Sequence, residues 1–233
     1  MSRKDHRKKG ADLRAQVKLP PLEELAPGFR DLVTDLAYGG IWARSELAVS
    51  DRMICTLSAL TLLQRLPHLR RYIGAALDSE MPPRSIAEVI IQCGLYGGYP
   101  IAETALEILQ EVLAERRTVL GKDADDTDSL DDLETHGQAI MEDLHGAQSK
   151  AGYADPDNAF TGGLYQLAVQ FGYGVIWRRP GLDRRQRMLC SLASFSVLGL
   201  ESTFRKFATS AINVGLEVSE IIEAVMQTAP YAG

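Results

Sequence analysis

His68 and Tyr72 stand four residues apart in the stretch LPHLRRYIGAALDS. On a helix that spacing is one turn, so an imidazole and a phenol share a face and can converge on one small volume. Two proton-transfer groups placed this way can deliver or remove a proton at a bound molecule. Pro67 suits the first position of such a helix, where its missing N–H costs nothing. His68 then sits where the positive end of the helix dipole opposes imidazolium, which favours a neutral imidazole able to act as a base. Arg52 and Arg44 could receive a carboxylate or enolate oxygen and steady charge that develops on it. His68, Tyr72 and Arg52 are therefore the catalytic candidates. The sequence contains no HExxH, no cysteine pair with histidines and no phosphate-cradling glycine loop, so neither a metal nor an organic cofactor is expected.

The elements that must hold these residues occur twice. YGGIWAR at 38–44 returns as YGVIWRR at 173–179, 135 positions on. At that offset residues 32–98 lie over 167–233 without a gap, and nineteen of 67 columns are identical. They include Tyr38 and Tyr173, Trp42 and Trp177, Arg44 and Arg179, Arg52 and Arg187, Cys55 and Cys190, and Tyr96 and Tyr231. A match of this extent is a duplication, and its period exceeds solenoid units, so two small domains packed together are expected. Residues 1–18 read as a disordered basic tail, 19–122 as the first domain, 123–132 as an acidic linker and 133–233 as the second domain. The second copy stops short of a counterpart to the amphipathic stretch that begins near Ile101. Met53 to Leu66 is apolar on nearly all sides and predicts a buried helix; the next helix stops before Pro82 and Pro83, and SIAEVIIQCGLY ends at Gly97 and Gly98. Few segments alternate with period two, so the fold class is all-α.

The totals exclude several functions. Of 233 residues 45% are hydrophobic and 24% charged, the composition of a soluble globular protein. A net charge of −6 gives no basic field for nucleic acid. No run approaches the roughly 20 apolar residues that a membrane span needs, and the N-terminus lacks a signal-peptide core, so a cytoplasmic location is expected. Cys55, Cys93 and Cys190 lie in apolar segments and read as buried free thiols.

WARSELAVSDR in the first copy and WRRPGLDRRQR in the second, each followed by a buried helix, a short helix carrying an A-L-type end and a Y-(A/G)-G-type close, resemble the carboxymuconolactone decarboxylase family and its alkylhydroperoxidase D-like relatives. The resemblance covers about residues 28–110 and 135–233. It implies an all-helical fold that oligomerises as rings of dimers, so that one chain supplies a dimer and three chains a six-domain ring. It also implies a small-molecule substrate. The redox branch carries a C-x-x-C pair whose columns fall here on Arg65 and His68 and on Leu200 and Thr203, so its thiol chemistry is missing. The decarboxylase histidine falls on Tyr72 and Phe207, which implies altered chemistry.

The expected function is a cofactor-independent lyase, isomerase or cyclase, acting by proton transfer on a small oxygenated molecule that is anionic or polyketide-like. Arg44, Trp42, Tyr38, Tyr96, Trp177, Arg187 and Phe207 are the expected substrate-binding residues. Each has a plainer reading: Arg52 and Arg187 as structural ion pairs or caps, the aromatics as packing, His68 as a surface residue. The second copy, with Thr203 and Phe207, looks silent or reshaped into an apolar wall. A non-catalytic scaffold is the alternative and would fill the pocket with apolar side chains, whereas an enzyme should keep polar ones there. A thiol peroxidase using Cys93 or Cys55 is a third reading and would need an accessible thiolate.

Overall fold

A computed structural model describes residues 2–122, 127–149, 157–160 and 162–233. Every regular element among them is helical, so the chain is all-α. The first half comprises α1 (Arg3–Gln16), α2 (Phe29–Val33) continuing as a π-helical stretch over Thr34–Trp42, α3 (Val49–Leu62), α4 (Leu66–Asp78), α5 (Pro83–Gly97) and α6 (Tyr99–Glu115). The second comprises α7 (Leu130–His145), α8 (Gly163–Leu167) continuing as a π-helical stretch over Ala168–Tyr173, α9 (Arg184–Leu198), α10 (Glu201–Ala211) and α11 (Val218–Ala232). The structure thus repeats the duplication helix for helix, and α6 has no counterpart among the described residues. Ile222 and Val225, the twins of the buried Ala87 and Ile90, are exposed.

The expectation of a disordered tail over 1–18 is corrected. Ser2 and Asp5 cap α1 reciprocally, each side chain accepting from the other's backbone N–H. Arg7 pairs with Asp31 and, at 2.8 Å, with Asp35; Arg3 also reaches Asp35 at 2.8 Å. The basic residues that read as a solvated tail therefore neutralise acids of α2 and its π-helical extension. α7 is the twin of α1, with the same box formed by Ser129 and Asp132. It begins inside the segment expected as a linker over 123–132, of which residues 123–126 lie outside the described residues.

Both of these helices cross the π-helical stretches at a glycine. A Cβ on Gly10 would lie 2.6 Å from the Thr34 carbonyl oxygen, and one on Gly137 only 2.0 Å from that of Val169. Backbone cannot yield as a flexible side chain can, so Gly137→Ala should lower the unfolding free energy by about 1–3 kcal/mol in a urea titration. An unchanged midpoint would mean that the two helices do not approach this closely.

The site is positioned by the centre of the molecule. α3 and α9 pack on each other across the pseudo-twofold axis, and α5 and α11 each touch both. The halves also exchange core residues. Leu47, Cys55 and Tyr96 pack in the core of the second half, while their twins Leu182, Cys190 and Tyr231 pack in that of the first. Neither half buries its own apolar surface alone, so the two repeats share one interior.

Candidate functional site

Tyr38 comes from the first π-helical stretch, Tyr72 from the buried face of α4 and Tyr231 from the last turn of α11, all meeting at their hydroxyls. Tyr231 donates to Tyr72 Oη at 2.8 Å, and Tyr72 and Tyr38 are bonded at 3.0 Å. Trp42 donates its indole N–H to Tyr231 Oη at 2.9 Å, and Arg14 donates to Tyr38 Oη with its guanidinium over that ring, 4.8 Å from the centroid. Three phenol hydrogens serve two bonds within the cluster. One hydrogen, on Tyr38 or Tyr72, is thereby left for a ligand. Burial and the neighbouring phenols push Tyr72 well above the ordinary tyrosine range, and burial does the same to Tyr231. These hydroxyls stay protonated, so Tyr72 can give a hydrogen bond and is poorly suited to act as the base that its type allowed.

A cleft of about 370 Å³ opens beside the cluster. Tyr38, Tyr72 and Tyr231 line it together with His68, Arg14 and Arg71. His68, in the first turn of α4, is exposed, and its backbone N–H is bonded to the Arg65 carbonyl oxygen at 2.9 Å. Partial burial, with Arg71 and Arg65 adding, holds its imidazole below the ordinary histidine value. The neutral form therefore dominates at neutral pH. The one-turn spacing of His68 and Tyr72 does bring both to a single cavity, where polar side chains share the wall with apolar ones.

The expected role of Arg52 is corrected. Its side chain is fully buried; one terminal nitrogen bonds Gln227 at 3.1 Å and the other bonds Glu223 at 2.8 Å and the Arg44 carbonyl at 3.0 Å. Arg44 also pairs with Glu223, at 2.6 Å. Burial pushes the Glu223 carboxyl up, but the hydrogen bonds from Arg44 and Arg52 outweigh it and hold it below the usual range. The twin network joins Arg187 to Glu88 at 2.9 Å and to Gln92 at 2.9 Å, with Arg179 on Glu88 at 3.0 Å. Each network ties α3 or α9 of one half to α11 or α5 of the other. Arg44, Arg52 and Arg187 are thus interface ion pairs and do not line the cleft. Trp42, buried at 0% exposure, positions Tyr231 and likewise does not reach the cavity.

Tyr96, Trp177 and Phe207 gather at the pseudo-equivalent place in the second half. Tyr96 bonds Ser191 at 2.7 Å and packs edge-on to Phe195. Phe207 replaces Tyr72, but the wall is not wholly apolar, because α7 ends there with His145. Its Nε2 lies 2.8 Å from Tyr173 Oη and its Nδ1 2.7 Å from Ser210 Oγ, with Phe207 edge-on. Desolvation, with Lys206 adding, drives His145 down to about 3. The sign follows directly: above about pH 6.5 the folded and unfolded chains are both neutral here. As pH falls from 6.5 toward 3 only the unfolded chain takes the proton, and stability drops by about 1.4 kcal/mol per pH unit. His145→Gln should flatten that part of the acid limb in denaturation at stepped pH. An acid limb as steep as that of the wild type would remove His145 from the account.

Cys55, Cys93 and Cys190 are fully buried, and burial pushes the Cys55 and Cys93 thiols up, which disfavours the thiolate that the peroxidase reading needs. No three His, Cys, Asp or Glu side chains among the described residues form a metal-binding group, and no helix there is long and apolar enough to cross a membrane.

Comparison with known proteins agrees with the duplicated fold. The model of the Carboxymuconolactone decarboxylase family matches residues 27–111 and 163–233, once in each half. The 4-carboxymuconolactone decarboxylase of Acinetobacter baylyi is 26% identical over 116 residues, covering 46% of this chain and 87% of that protein. An uncharacterized 15.0 kDa protein of Paracoccus denitrificans is 34% identical over 96 residues, 40% of this chain and 72% of its own length. The nitrosuccinic acid decarboxylase of Metarhizium robertsii is 32% identical over 103 residues, 42% of this chain and 68% of its own length.

Proposed function

Because the chain belongs to the carboxymuconolactone decarboxylase family, we propose that it is a lyase that removes a carboxyl group from, or moves a proton on, a small oxygenated acid in the cleft beside Tyr72. The observation that carries this reading is the convergence of a neutral imidazole, a spare phenol hydrogen and three arginines, against one glutamate, on one cavity. Arg71 and Arg14 attract the anion. When the bond to the carboxylate carbon breaks, carbon dioxide leaves and the electron pair spreads onto an oxygen of the remaining fragment. The free hydroxyl of Tyr38 or Tyr72 donates to that oxygen, in a setting where burial strengthens the bond. His68 is exposed; it takes a proton from solvent, delivers it from the imidazolium form to the carbon and returns to the neutral imidazole. In an isomerisation the same imidazole would first remove a proton. Two of the relatives are named for decarboxylations, which supports the lyase reading. The phenols, His68 and the arginines kept in that wall speak against a scaffold. Within a ring of six such units, three chains would each present one cleft of this kind.

The test follows from the relatives' names. 4-Carboxymuconolactone and nitrosuccinic acid, and then a panel of oxo acids, are incubated in deuterium oxide, with carbon dioxide release and deuterium incorporation followed by NMR. Turnover of at least one acid is expected. Proton abstraction by the neutral imidazole should give a kcat/KM that rises with pH to a plateau, with a midpoint below 6.5, whereas decarboxylation with imidazolium as the acid should give one that falls through that midpoint. His68→Gln should lower kcat/KM by at least about tenfold. A protein that neither releases carbon dioxide nor exchanges a proton across the panel would contradict the reading.

A further inference from the structure

The polar groups occupy only part of the cleft. Between α1 and α2 the chain runs without regular structure as LPPLEELAPG. Leu22 and Leu25 of this strap, with Phe29 and Val33 of α2, line the same cleft as the phenols. Leu25 is 75% exposed and Phe29 45%, so two large apolar side chains at the cavity stand in water with nothing among the described residues covering them. Pro20, Pro21 and Pro230 stiffen the walls, so the shape exists before a ligand arrives and little ordering cost remains for binding. A volume of about 370 Å³ lies within the range of sites that enclose a whole organic ligand.

Resting on the site assigned above, we infer that the substrate is amphiphilic: a carboxylate-bearing head held by Arg71, His68 and the phenols, and an alkyl or aryl tail lying on Leu22, Leu25, Phe29 and Val33. A compact polar acid would leave that apolar wall wet and gain nothing from it. A tail of several carbons covers it, and each methylene fully taken from water strengthens binding up to about fourfold.

Calorimetric titration with butanoate, hexanoate, octanoate and succinate tests this, the weak binders being measured by competition against octanoate. Octanoate should bind at least about tenfold tighter than butanoate and should outcompete succinate. Because both side chains are exposed, the pair Leu25→Asn with Phe29→Asn should fold normally, erase the gain with chain length and leave butanoate within about twofold. Arg71→Gln should weaken all the monocarboxylates alike. Equal affinity along the series, tighter binding of succinate, no binding of any acid, or a chain-length gain that survives the asparagine pair would each overturn the amphiphilic substrate. Deuterium incorporation that depends on His68 tests the reaction without reference to a tail, so the two readings can fail separately.

Discussion

Replacing Glu223 by alanine should destabilise the protein by about 3–5 kcal/mol, a large share of the roughly 5–15 kcal/mol by which domains are stable. Glu223 is 1% exposed and holds two guanidiniums, of which Arg52 is completely buried. Its loss would leave the charge on Arg52 facing only Gln227 and a carbonyl. Glu88→Ala should act similarly through Arg187, because the twin network is built the same way. Charge alone does not explain the size of the effect, since a buried pair costs nearly as much in desolvation as it returns. The large term is the uncompensated partner, and changing Arg52 and Glu223 together to Met and Leu should therefore cost much less than either single change. Chemical denaturation followed by circular dichroism reads each of these variants. A loss below about 1 kcal/mol for Glu223→Ala would show that Arg52 is held by other groups.

Tyr72→Phe should abolish most turnover while leaving the fold intact. The second half is a built-in control, because Phe207 occupies the equivalent position and packs there at 6% exposure. Removing the hydroxyl breaks the link between Tyr231 and Tyr38 and takes away a hydrogen bond to the oxygen on which charge develops. Loss of one such donor commonly costs 10²- to 10³-fold in kcat, with KM changed little. The unfolding free energy should stay within about 1 kcal/mol of wild type, since a phenol is exchanged for a ring of the same shape. Unchanged kcat in Tyr72→Phe would place the oxygen elsewhere.

Much of this was legible in the letters. The duplication, the helices around Pro67 and before Pro82, and the His68–Tyr72 pairing rest on short-range pattern, and all three recur in the structure. α1 was not, because RKDHRKKGADLRAQ has almost no apolar face and reads as a solvated tail. Its signal lay in Ser2, Asp5 and Gly10, repeated at Ser129, Asp132 and Gly137 with a spacing of 127 in place of 135. The gapless offset conceals it, and with it His145 at the end of α7. Arg52 drew a catalytic reading from its type, whereas a glutamate standing in an apolar helix at the same column of both copies, Glu88 and Glu223, marked its partner. The tyrosines were harder. Tyr96 serves the second half and Tyr231 the first, because α5 and α11 cross the pseudo-twofold axis, and that exchange is a property of packing which no single copy displays.

Tyr231 and Tyr96 are twins in sequence, so comparing Tyr231→Phe with Tyr96→Phe measures most directly whether chemistry belongs to the composite cleft and not to its pseudo-symmetric counterpart. With any acid that the wild type turns over, deuterium incorporation should fall at least about tenfold in Tyr231→Phe and stay within about twofold in Tyr96→Phe. Equal losses in the two variants, or a greater loss in Tyr96→Phe, would contradict the assignment of the site.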